Sequence, residues 1–411
     1  MKQFNFTRDF LTYSLKGGVK FYLWLLFLGF FIILWFYGNY RQLSHGMIVT
    51  GLSDQATWGL YVANFVFLVG VAAAAVTVIF PSYVYNYKPL KDVAVLGEIV
   101  AITAVIMCLL FIINHLGRPE RAWHLIPVIG IFNWPDAFLA WDVIVLNGYL
   151  FLNFICAFYL LYKKYNSRRI NRFFYIPLVY ISIVWAISIH TVTAFLLNTL
   201  AARPMWFSAI VPVKFISTAF ASGPAFIIIL FLITRANTKL NISDSAINKM
   251  SEIMTYALGI SLFLSLSEIV TELYPGTEHS YSLRYLMFGM GGFSQLVPWF
   301  WASVALNVTA FIFLLIPGAR KNHVFLFYLS LMIFAGIWIE KGIGFVLPAM
   351  VPTPVGEFVE YTPSIIEIFN CLGNWAIGLL ILTLLVKGAT GVLTGEIKHD
   401  KTGIYKLQFI D

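Results

Sequence analysis

Eleven residues, NHLGRPERAWH from Asn114 to His124, hold two histidines, two arginines, a glutamate and a helix-breaking Gly-Arg-Pro directly after a long apolar run. An imidazole can give or take a proton near neutral pH. His115 closes one apolar segment and Asp142 opens the next, so the connection between them is expected to bring both to one edge at similar depth. An imidazole beside a carboxylate at a water–lipid boundary suits a ligand that carries protons with its electrons. A quinone carbonyl needs a hydrogen-bond donor, and its quinol form needs a base. The structural alternative is that both residues cap helix ends, Asp142 at an N-terminus where its charge is favourable. Arg118, Glu120 and Arg121 can close the turn or meet lipid headgroups, and His124 lies one turn further on.

Other ionisable residues stand inside apolar runs, where each costs at least ~2.5–3.5 kcal/mol by insertion scales. His190, Lys214 and Glu268 fall in three successive segments, at depths that let Lys214 and Glu268 pair and offset part of their desolvation. A proton relay or polar cavity is the functional alternative for these three. Glu98, at the other end of its segment, is a weaker candidate for proton uptake. Glu340, Lys341 and Glu367 lie at segment ends and can be read as snorkelling.

These residues need helices to hold them, and composition says in what solvent. The chain of 411 residues is 60% hydrophobic and 11% charged, against about 25% charged in a soluble domain. Too few charges remain to cover a globule in water. A membrane-crossing helix takes roughly 20 apolar residues. Ten such runs occur, over 21–40, 56–80, 92–114, 142–162, 173–199, 206–234, 250–273, 297–317, 322–340 and 363–386. An all-α integral membrane protein follows.

The net charge of +8 is a matter of topology. Basic residues gather in the N-terminal tail (Lys2, Arg8, Lys16, Lys20), in alternate connections (such as Lys163, Lys164, Arg168, Arg169 and Arg172) and in the C-terminal tail (Lys387, Lys398, Lys401, Lys406). The positive-inside rule then places both termini in the cytoplasm, and an even number of spans agrees in requiring both on one side. Nucleic acid is a poor reading of this charge; the partner it implies is the lipid bilayer of the cell membrane. On the exterior side, 115–141, 274–296 and 341–362 are long and rich in Trp, Phe, Pro and Gly. They are expected to lie in the interface, fold between helices, or receive a partner.

Cys108, Cys156 and Cys371 are isolated in apolar runs, so no iron–sulfur cluster or zinc site is proposed within this chain. A bis-histidine haem needs two histidines at equal depth, which His115 and His190 do not offer. A proton- or solute-coupled transporter remains the reading from another class, because broken helices and midplane charges also serve substrate binding. A passive membrane anchor is the weakest reading.

NHLGRPERAWH at 114–124 with Trp141-Asp142 resembles the NrfD/PsrC family, the quinone-interacting membrane subunits of polysulfide-reductase-type complexes. TWGLYVANFVFLVG at 57–70 and ARPMWFSAIVPVKFISTAFASG at 202–223 look like that family's second and sixth helices. The stretch 339–367 resembles its ten-helix branch, which includes DsrP and HmeB of the Dsr/Hdr-like menaquinol-oxidising complexes. The resemblance implies two four-helix bundles, 56–199 and 206–340, with 21–40 peripheral, 363–386 as the last helix and 387–411 as a cytoplasmic tail. It implies a menaquinone or menaquinol site near the outer face, with no haem or cluster in this chain. Carried over, His115 and Asp142 are the quinone-contacting pair, flanked by Asn114 and Arg118. Glu98, His190, Lys214 and Glu268 stand as proton-path candidates. The implied partners are a ferredoxin-like iron–sulfur subunit on the outer face, a cytochrome b-type membrane subunit, a multihaem cytochrome c and a cytoplasmic heterodisulfide-reductase-like iron–sulfur subunit. Electron direction, the kind of quinone and proton pumping are not set by these residues.

Overall fold

Lipid offers backbone amides no hydrogen-bond partner, so long apolar runs satisfy them within helices. The structure, a computed structural model, describes residues 2–399. Residues 400–411 of the expected tail, with Lys401 and Lys406, lie outside the described residues. A first helix, α1 (Lys2–Leu15), precedes ten helices long and apolar enough to cross a membrane. These are α2 (Val19–His45), α3 (Leu60–Tyr83), α4 (Ala94–His115), α5 (Phe138–Tyr165) and α6 (Arg172–Asn198). They continue with α7 (Ile210–Asn237), α8 (Asp244–Leu273), α9 (Val297–Leu314), α10 (His323–Met350) and α11 (Ile365–Leu393). The protein is a multi-pass, all-helical membrane protein. Its chain begins and ends its crossings on one face, here the terminal face; the other is the distal face.

Two segment boundaries depart most from the sequence reading. The ninth apolar run does not stop at Glu340 and Lys341: α10 passes through them as a π turn over Trp338–Ile343 and reaches Met350. Apolar sequence resumes after the charged pair, so the helix has reason to continue. The last helix likewise runs past Lys387 to Leu393. Helix α1 was not expected at all. It lies against α11 and α5, with the Phe6 ring edge-on to Phe158, Tyr162 and Tyr165.

Helix contacts form two rings of four. In one, α3 meets α4, α4 meets α5, α5 meets α6, and α6 returns to α3. In the other, α7 meets α8, α8 meets α9, α9 meets α10, and α10 returns to α7. The rings join where α3 meets α7 and the π turn of α10. Small residues allow this joint, as they do between membrane helices generally. A Cβ on Gly223 of α7 would lie 3.1 Å from the backbone of Ala74 in the alanine run of α3.

Helices α2 and α11 pack on each other and on α4 through polar side chains. Asn370 Nδ2 donates to Gln42 Oε1 at 3.0 Å and to the Tyr61 hydroxyl at 2.9 Å. Asn39 Nδ2 donates to Asn370 Oδ1 at 3.0 Å, and Trp35 Nε1 to Asn374 Oδ1 at 2.8 Å. Glu367 is fully buried and does not snorkel. It closes a capping box with Ser364 and accepts from the Gly51 amide and the Tyr361 hydroxyl. On the distal face Leu283, Leu286 and Met287, from a two-turn helix over Tyr281–Phe288, pack with Ile343, Leu347 and Tyr361 as a small second core.

Candidate functional site

At the distal end of α4, His115 is the last helical residue and Leu116 turns to extended backbone before Gly117 and Pro119. The His115 Nδ1 is buried and has no hydrogen-bond partner. Asp142 sits one turn into α5 and is 1% exposed. Its Oδ1 accepts the Thr193 hydroxyl from α6 at 2.7 Å, and its Oδ2 is buried without a partner. No hydrogen bond joins His115 to Asp142; the carboxylate is turned towards α6. Buried polar atoms are almost always paired, so two orphans at the adjoining ends of α4 and α5 mark a place where polar groups remain to be met.

The flanking residues are placed differently from expectation. Asn114 puts its amide into helix packing: Nδ2 donates to Asn39 at 2.7 Å and Oδ1 accepts from Asn374 at 2.9 Å. Its main-chain carbonyl accepts from Gln42 at 2.6 Å. It ties α4 to α2 and α11. Arg118 is exposed and pairs with Glu120 at 3.4 Å. Beyond them the distal loop leaves Trp123, Ile126, Val128, Ile129, Ile131 and Trp134 exposed.

A second polar centre lies in the α7–α10 ring. Lys214 Nζ is 2.6 Å from Glu268 Oε2, the pairing expected from depth. The structure adds Glu340, 3.5 Å from the same ammonium, held by Ser265 at 2.7 Å and Asn307 at 3.1 Å. The cluster lines a cavity of about 80 Å³ with apolar walls that include Leu262 and Phe300. Sequence reading missed Glu340 because a charged dipeptide looked like a helix end; the apolar run beyond it was the available signal.

The remaining candidates are buried and separate. Glu98, near the terminal face, accepts the Tyr175 hydroxyl at 3.1 Å, and its Oε2 has no partner. His190 Nδ1 lies 2.7 Å from the Ala186 carbonyl, and its Nε2 is unpartnered. Lys341, read from sequence as a segment-end residue that can snorkel, is instead 4% exposed inside the helix assembly.

A family profile described as polysulphide reductase, NrfD, matches residues 48–347, well over half the chain. The chain belongs to the NrfD family. It is 24% identical over 408 residues to a selenate reductase subunit of Mesobacillus selenatarsenatis, covering 89% of this chain and 93% of that one. It is 22% identical over 361 residues to the Hdr-like menaquinol oxidoreductase integral membrane subunit of Archaeoglobus fulgidus, covering 84% and 87%. A putative dimethyl sulfoxide reductase membrane subunit of Halobacterium salinarum is 22% identical over 383 residues, covering 83% and 85%. This NrfD protein is therefore a membrane subunit of a multi-subunit oxidoreductase complex in a prokaryotic cell membrane.

Proposed function

We propose that this NrfD subunit oxidises menaquinol at the distal face and passes the electrons to a partner iron–sulfur protein docked there. The observation that carries this reading is the pair of buried, unpartnered atoms, His115 Nδ1 and Asp142 Oδ2, where α4 ends and α5 begins. A quinol hydroxyl needs an acceptor for its proton, and an imidazole nitrogen and a carboxylate oxygen are two such acceptors. Oxidation releases two protons and two electrons. His115 and Asp142 take the protons, and the partner's clusters take the electrons. The exposed apolar loop over Trp123–Trp134 beside His115 offers the partner its surface, as aromatic residues often do at interfaces.

The charge bias supports the distal face as the exterior, and in this proposal protons leave outside the cell. The menaquinol assignment is supported by similarity to the Archaeoglobus menaquinol oxidoreductase subunit. Cytochrome b-type, multihaem cytochrome and cytoplasmic heterodisulfide-reductase-like subunits complete the proposed complex, in line with that relative's Hdr-like name; the selenate and dimethyl sulfoxide reductase relatives share only the role of a reductase subunit. Translocation of further protons through buried groups is part of the proposal.

His115→Ala and Asp142→Asn, introduced in the assembled complex, are expected to lower quinol-dependent electron transfer roughly 10²–10⁴-fold. Native gels should show the complex intact, and quench of a fluorescent quinol analogue should report binding. Wild-type turnover in both variants rejects the site. The charged cavity of the α7–α10 ring favours the second reading, a proton- or solute-coupled transporter without redox partner. A lone protein moving solute in liposomes, with no iron–sulfur protein co-purifying, would decide for it.

A further inference from the structure

Lys341 is a buried amine that quinol oxidation at His115 and Asp142 does not use. Among the described residues its ammonium makes no ion pair; Nζ donates to the Phe215 carbonyl at 3.4 Å and stands 4.2 Å from the centre of the Phe215 ring. The missing side chain of Gly70 admits it. A Cβ there would lie 3.1 Å from Lys341 Nζ and 3.5 Å from Ser222 Oγ. Ser222 Oγ and His190 Nε2 are both buried without a partner, and α6, which carries His190, packs against α3 and α7, which carry Gly70 and Ser222. Three residues along α6 from His190, Thr193 holds Asp142.

The other side of Lys341 faces the second polar centre. A space of about 10 Å³ is lined by Lys214, Phe215, Thr218, Glu340 and Lys341, close to what one water needs. One ammonium cannot neutralise two carboxylates, so with both ionised Lys214, Glu268 and Glu340 together carry one negative charge in excess. Lys341, when protonated, adds one positive charge beside them. Unbalanced charges at such depth are costly. A proton passing from the Lys341 ammonium to that cluster leaves a neutral amine and a carboxylic acid, and removes both charges together.

We propose that Lys341 is a proton-transfer residue joining the two helix rings, between the Asp142–Thr193–His190 side and the Lys214–Glu268–Glu340 cavity. The amine regains its proton through the Ser222 hydroxyl and His190 from water on the terminal face, and the carboxylic acid of the cavity gives its proton up on the distal side, so one proton crosses per cycle beyond those of the quinol and no atoms or electrons are consumed. The π turn serves this directly. It sets consecutive residues, Glu340 and Lys341, towards opposite rings, and π turns are frequent at functional sites.

The inference rests on the quinol reading, and one experiment separates the two. The complete complex, purified through a tag on this chain, is reconstituted in liposomes with a reduced menaquinone analogue and an artificial electron acceptor. Electrons and released protons are counted together. Wild type is expected to release more protons per electron than quinol itself supplies. Lys341→Arg keeps the charge and the donors but cannot give up a proton; Lys341→Met removes both. Both variants are expected to lose the extra protons while still oxidising quinol, and if Lys341→Met fails to assemble, Lys341→Arg alone carries the test. A wild-type proton yield in Lys341→Arg, or no extra protons from wild type, overturns the role of Lys341 and leaves the quinol site standing. Wild type that oxidises no quinol removes the reading beneath it as well.

Discussion

At Lys214 a single ammonium holds two carboxylates, and its neighbours decide what each is worth. Removing one partner of a buried ion cluster leaves charge that nothing compensates, at ~3–5 kcal/mol. Lys214→Met is therefore expected to destabilise the subunit by that order. Adding Glu268→Gln to Lys214→Met should recover much of the loss, because the second change removes a charge the first left bare. Thermal unfolding of the two variants in detergent measures both steps; equal destabilisation in the single and double variants would mean the residues are not coupled. The pair was legible in sequence because each residue is charged within an apolar run at matching depth. Glu340 was not, since the same letters describe a helix end and a π turn. Asp142 was singled out in sequence, but its contact with Thr193 was not, because hydroxyl residues are common in helices and say nothing of what they face.

Helix α2 illustrates how an element that buries little can still be fixed in place. Most of its surface is exposed, and buried residues along it are few: Leu28, Gly38 and Gln42. In lipid, apolar contact alone gives no hydrophobic drive between helices, so hydrogen bonds and close packing must orient it. Gln42, Asn39 and Trp35 do this against Asn370, Asn374 and Asn114. Asn370→Leu leaves the Gln42 and Asn39 side chains short of partners, at about 1–3 kcal/mol for buried groups. The expected outcome is faster proteolysis at the α2–α3 connection, with α3–α11 still protected; unchanged cleavage would show that α2 is held by other contacts. Sequence showed α2 as an apolar run of the right length. It did not show the asparagine ladder, whose bonded partners on different helices lie more than 70 positions apart in the chain.

For the molecule as a whole, the decisive quantity is which face meets the cytoplasm. The three native cysteines are buried, so new ones report cleanly. With Asn241→Cys in the α7–α8 connection, a membrane-impermeant thiol reagent is expected to label only inverted vesicles or opened cells. Asp54→Cys in the α2–α3 connection should label in intact cells. The reverse pattern would put the proposed quinol site on the cytoplasmic side and, with it, the release of its protons. Both positions are exposed in the structure.

Sequence alone determined the class, the number of crossings and where polar chemistry concentrates, because hydrophobic length and charge bias act locally and survive without knowledge of any contact. The tertiary structure alone decided which charges meet. It gave Asn114 to helix packing, turned Asp142 towards Thr193, drew Glu340 to Lys214 and set Lys341 against Gly70. Those outcomes depend on the rotation of each helix about its axis and on close approach at glycine and alanine, which no single segment of chain encodes by itself.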